Sequence, residues 1–95
     1  MTTEDNPLTA KLVIHDEAGE HEVKPLDDRA IATLRAICSG RRRTPDKAVM
    51  IAALFRIAHA SDNAAARDLV HGAKRWSRSD YTHAEWIIRR ALPFV

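Results

Sequence analysis

A chain of 95 residues, 45 % of them apolar and 29 % charged, reads as one small globular domain with a real but limited core. No stretch is long and apolar enough to span a membrane, the polar and acidic segment Met1–Pro7 does not read as a secretory signal, and the single cysteine, Cys38, excludes an internal disulfide, so a reducing cytoplasm is expected. The net charge of +2 hides an asymmetry, because residues 1–28 carry −6 and residues 29–95 carry +8, which points to an acidic part and a basic part with different partners or with each other as partners.

Residues 1–9 read as a flexible arm, followed by one domain over 10–95. The segment KLVIHDEAGEHEVKPL predicts a β-hairpin over 11–25. Leu12, Val13 and Ile14 are β-formers, Asp16 to Gly19 supply turn chemistry, and Pro25 ends the return strand. Two registers are open. A two-residue turn at Ala18–Gly19 pairs Ile14 with Val23, and a three-residue turn puts Val13 opposite Val23.

The first helix is expected over about 27–39, with Asp27 or Asp28 as cap, an apolar stripe of Ala30, Ile31, Leu34, Ile37 and Cys38, and Gly40 closing it. After the run Arg41-Arg42-Arg43, Thr44 and Pro45 predict the start of a second helix over 45–60. From Ala48 to Ala60 only Arg56 and His59 are polar, so this helix is either wrapped by the others or forms a dimer core. A homodimer is the expectation. A third helix is expected over about 63–76 and a fourth over 83–92, the latter opened by a capping box of Thr82 and Glu85. Trp76 and Trp86 fall on apolar stripes and read as core anchors rather than base-stacking platforms. The expected fold is therefore α+β and mainly α, an N-terminal hairpin followed by about four helices around a central apolar one.

Enzymatic chemistry finds little support. The five histidines form no zinc-ligand pattern, no glycine-rich phosphate loop is present, and Cys38 reads as a small core residue. His15 and His21 read as members of solvated His–carboxylate pairs on the hairpin. Neither catalytic residues, a metal nor a cofactor is expected. Lysine is confined to positions 11, 24, 47 and 74 beside many arginines and alanines, a composition that points to a GC-rich bacterial genome.

The sharpest feature is Arg41, Arg42 and Arg43 immediately before a helix N-terminus, where unpaired N–H groups and the helix dipole favour an anion. With Thr44 and Lys47 they form the expected phosphate-binding site, and Lys74, Arg75, Arg78, Arg89 and Arg90 a secondary basic surface. The competing reading is a solvated loop beside solvated helical faces.

The segment LDDRAIATLRAIC…TPDKAVMIAAL resembles the helical part of ribbon-helix-helix repressors of the Arc/MetJ type, over about residues 26–58. The resemblance implies a homodimer built on the second helix, phosphate held by Thr44 and its flanking backbone with Arg43 nearby, and a strand ribbon from EHEVKP in the major groove. Aligned from Leu26, Lys24 falls at a core position and Val23 and Pro25 at base-reading positions. With Glu20 and Glu22 on the strand, the hairpin is instead expected to cover the helical core or to offer acid to a basic partner. The expected function is a small DNA-associated regulator. The alternative is a protein-binding module or inhibitor using the acidic hairpin or the Trp86 helix.

Overall fold

The structure is a computed structural model that describes residues 6–41 and 44–92. It has a two-stranded antiparallel hairpin, β1 (Leu12–Asp16) and β2 (Gly19–Val23), followed by four α-helices: α1 (Asp28–Cys38), α2 (Lys47–Ala60), α3 (Ala64–His71) and α4 (Arg78–Ala91). A 3-10 turn, Ala73–Arg75, separates α3 from α4. The expected mainly helical α+β architecture is what the chain adopts.

The hairpin takes neither expected register, and the partner of Val23 is Leu12 rather than Ile14 or Val13. Leu12 pairs with Val23, Ile14 with His21 and Asp16 with Gly19, leaving Glu17 and Ala18 as the turn. The cause is local. The Asp16 carboxylate accepts from the Ala18 N–H at 2.8 Å, which closes the turn on Asp16, and Gly19 takes φ +113° as the return strand begins. Leu12 is buried and Ile14 and Val23 are half-buried, while residues 15–22 are exposed, so the hairpin is anchored at its base and its tip projects.

The expected flexible arm is corrected over residues 6–9. Asn6 accepts from the Leu8 N–H through its side chain and from Thr9 and Ala10 through its carbonyl, and Leu8 is 0 % exposed. Residues 1–5 lie outside the described residues.

The first helix behaves as expected. Asp27 caps it by accepting from the Ala30 N–H at 2.8 Å. At its other end the Gly40 and Arg41 N–H groups reach the Ile37 and Ala36 carbonyls, a Schellman motif with Gly40 at φ +81°. Three other helix ends differ from expectation. Asp46, not Thr44, caps α2, accepting from the Val49 N–H at 3.2 Å, so the helix starts at Lys47 rather than Pro45. The third helix stops at His71 instead of running to 76. The chain then tightens through the 3-10 turn and folds back until the Trp76 indole N–H donates to the Leu69 carbonyl at 2.9 Å, satisfying a group the helix end leaves open. The fourth helix begins five residues early, because Ser77 and Asp80 form the capping box that was expected of Thr82 and Glu85.

The core lies between the helices, with α2 packed against α1, α3, α4 and β1. Met50, Ala53, Leu54, Ile57 and Ala58 of α2 are buried within the one chain. Of the two readings of an all-apolar helix, the wrapped one holds for this part of α2. A stripe of Ala48, Ile51, Ala52 and Phe55 stays partly open.

Arg56 is the unexpected core residue. Its guanidinium is 1 % exposed and donates to the carbonyls of Val23 at 2.8 Å, Lys24 at 2.7 Å, Pro7 at 3.3 Å and Ala10. Burial pulls its pKa below the ordinary arginine value. Among the described residues no carboxylate pairs with it, so carbonyl dipoles carry the solvation of the charge. No helix of the described residues is long and apolar enough to cross a membrane.

Candidate nucleic-acid interface

The basic surface is assembled by two loops that meet at the N-terminal end of α2. The Schellman turn at Gly40 directs the chain away from α1. Arg41 is exposed there, its Nε donating to Ser39 Oγ at 3.0 Å. Arg42 and Arg43 lie outside the described residues. Thr44 is exposed in a bend, two residues before the true cap.

The cap changes the electrostatics of the expected site. The Asp46 carboxylate occupies the Val49 N–H and places negative charge on the positive end of the α2 dipole. One donor of the expected N–H cradle after Thr44 is thus engaged by the chain itself. Beside it stand basic side chains.

Those side chains are gathered by Trp76. The Lys47 ammonium, in the first turn of α2, lies 5.6 Å from the Trp76 ring centroid. The indole is held from two further directions, by its bond to Leu69 and by Tyr81, whose ring meets it edge-on at 5.0 Å. Lys74 and Arg75, both exposed, stand on the turn just before it. Arg78, exposed in the first turn of α4, lines a groove of about 520 Å³ together with Pro45, Ile37, Met50, Tyr81, Thr82 and Glu85. The start of α2, through Pro45 and Lys47, thus lies beside the segment 76–78, with Lys74 and Arg75 just before it in the chain.

The other two expected basic residues have different surroundings. Arg89 donates to the Cys38 carbonyl at 2.7 Å and to Glu85 Oε1 at 2.8 Å, so it caps the C-terminus of α1, where the dipole favours a cation. Arg90 lies over the Trp86 ring at 4.8 Å, about 18 Å along α4 from Arg78 by helical rise.

Trp86 itself is a correction. It is 52 % exposed, not a core anchor. Spacing along α4 explains the difference. The buried face is set by Ala84, Ile87 and Ile88, with Tyr81 packed beside them, and Trp86 falls off that stripe. The signal was in the sequence as the spacing of Tyr81, Ala84, Ile87 and Ile88, a stripe that passes beside Trp86.

On the hairpin the histidines do pair with carboxylates, His15 with Glu20 at 3.0 Å and His21 with Asp16 at 3.4 Å, all four exposed. Cys38 is buried, and burial, with Glu85 nearby, raises its thiol pKa against the opposing pull of Arg89. Among the described residues no three His, Cys, Asp or Glu side chains cluster as metal ligands would. No family model matches the chain, and no curated protein or solved structure is significantly similar to it.

Proposed function

We propose that this chain is a small, cytoplasmic, DNA-associated regulatory protein that acts by binding and grips the phosphate backbone through Lys47, Lys74, Arg75 and Arg78, and, as the sequence leads us to expect, through Arg41, Arg42 and Arg43. The observation that carries the reading is the Lys47–Trp76 contact, which draws two basic segments far apart in sequence onto one surface. Such a surface neutralises phosphates and releases counterions whatever the base sequence. The likeness of residues 26–58 to ribbon-helix-helix repressors supports the same reading for the helix pair. Here β2 pairs with β1 of its own chain, so base reading by a two-chain ribbon forms no part of the proposal. A salt series of duplex binding tests it.

The proposal includes a homodimer. Ala48, Ile51, Ala52 and Phe55 form one stripe at helical spacing, and a shallow apolar groove of about 320 Å³ runs along it, bordered by Leu26 and Val70. Two copies of α2 packed antiparallel about a twofold between positions 51 and 52 would set Ala48 against the partner subunit's Phe55, and Ile51 against the partner subunit's Ala52. Each bulky side chain then faces a small one, as an isologous contact requires.

A protein-binding role is the second reading. It is favoured by the hairpin tip, whose carboxylates Glu17, Glu20 and Glu22 are exposed beside Val13, itself 42 % exposed. Negligible duplex binding at low salt would select it.

A further inference from the structure

We propose that the exposed side of α4 is a site for single-stranded nucleic acid, with Trp86 as the platform on which a base stacks. The inference rests on the nucleic-acid reading above and names the strand class that this second surface takes.

The two tryptophans have separate tasks. Trp76 is committed to the fold through Leu69 and Tyr81. Trp86 makes no hydrogen bond among the described residues and leaves half of its surface in water. An indole in that position contributes little to the core, and a polar side chain would serve the helix as well. Arginines and hydroxyls are among its neighbours. Arg90 covers part of the ring at 4.8 Å, and the His83 ring stands 6.4 Å away, tilted rather than stacked. Along one flank runs a shallow surface of about 630 Å³ with Arg78 and Thr82, and along the other a groove of about 350 Å³ that ends on Arg90. Both carboxylates of this stretch are engaged, Glu85 by Arg89 at 2.8 Å and Asp80 by the Ser77 N–H at 2.8 Å. The surface is therefore positive at both ends, with an aromatic ring between.

That combination fits a single strand better than a duplex. Cations alone are enough to hold a duplex, whose base faces are closed inside the stack. A projecting indole has a use only when a base face is free, and then stacking adds to the backbone contacts with little regard for sequence. Arg90 on the ring completes the arrangement, since guanidinium and base can sandwich an indole between them.

The test uses the intact chain with a thymidine homopolymer strand, a mixed-sequence duplex of the same length and a polyglutamate chain as the acidic control. Parent, Trp86→Ala and Trp86→Phe are compared by tryptophan fluorescence and by affinity, with thermal melts to verify equal folding. The expected result is saturable quenching by the strand, loss of about tenfold or more in strand affinity in Trp86→Ala, substantial recovery in Trp86→Phe, and unchanged duplex affinity. If Trp86→Ala binds the strand like the parent while both nucleic acids still bind, the α4 site is wrong and the phosphate reading stands. If neither strand nor duplex binds at low salt, both fall. Equal quenching by polyglutamate would overturn the strand assignment in favour of an acidic protein partner.

Discussion

The Lys47 ammonium and the Trp76 indole, 5.6 Å apart, join the start of α2 to the segment that links α3 with α4. That contact brings Lys47, at the start of α2, to the segment that Lys74 and Arg75 precede in the chain. Trp76 holds its place through Leu69 and Tyr81 irrespective of Lys47, so replacing the lysine removes charge while the scaffold stays.

Arg56 ties the N-terminal segment and the end of the hairpin to α2. Arg56→Ala would leave the carbonyls of Pro7, Ala10, Val23 and Lys24 buried without their donor. We expect a loss of roughly 3 kcal/mol or more in urea unfolding. Arg56→Lys should cost less but still destabilise clearly, because a single ammonium cannot reproduce the fork. Hydrogen exchange should show residues 6–24 losing protection first. Wild-type stability in Arg56→Ala would remove this role.

The start of α4 can be checked with two single substitutions. Ser77→Ala removes the capping box and should cost about 1 kcal/mol. Thr82 lies within the helix, its hydroxyl donating to the Arg78 carbonyl, so Thr82→Ala should be near neutral. Denaturation midpoints in the opposite order would restore the cap that the sequence pattern favoured.

Those two positions show what was legible in the sequence. The hairpin, the number of helices, the Asp27 cap and the Gly40 stop are written in local chemistry, and local reading finds them. The starts of α2 and α4 are not, because each has two good caps within a few residues, Thr44 and Asp46, or Ser77 and Thr82. Packing decides between them. Trp86 adjoins the buried Ile87 in sequence but lies about 100° from it around the helix, and so reaches solvent. Arg56 looked like a polar interruption of an apolar helix because its acceptors lie 32 to 49 residues away in the chain. The basic residues were visible singly, but the contact of Lys47 with Trp76 is a tertiary fact.

The dimer proposal separates two neighbouring residues. Leu54 is 0 % exposed in the core of the single chain, so Leu54→Asp should unfold it, a different outcome from loss of assembly alone. Phe55→Asp, on the open stripe, should leave the circular dichroism spectrum intact and convert dimer to monomer in sedimentation. A parent that sediments as a monomer at high concentration, or a Phe55→Asp variant that still dimerises, would rule out this interface.

Cys38 makes stability depend on alkaline pH. Its folded-state pKa is raised, chiefly by burial, so the folded chain keeps the proton after the unfolded chain has lost it. The contribution is full below the ordinary thiol pKa of roughly 8.5 and is lost as pH rises through the folded value. Cys38→Ala should flatten that part of the alkaline decline in melting temperature, and in the parent the thiol should react slowly with a disulfide reagent at neutral pH. Rapid labelling of the folded parent would contradict the burial argument.

A side-chain grip on phosphate at the joined basic surface is tested most directly by duplex affinity measured over a salt series. The parent is compared with a Lys47→Ala, Lys74→Ala, Arg75→Ala triple variant, using two unrelated sequences. The variant should bind both sequences more weakly and to the same degree, with the slope of log affinity against log salt reduced by about 0.9 for each phosphate it no longer neutralises. A variant that binds as tightly as the parent with the same slope, or a parent that fails to bind at low salt, would contradict the phosphate grip.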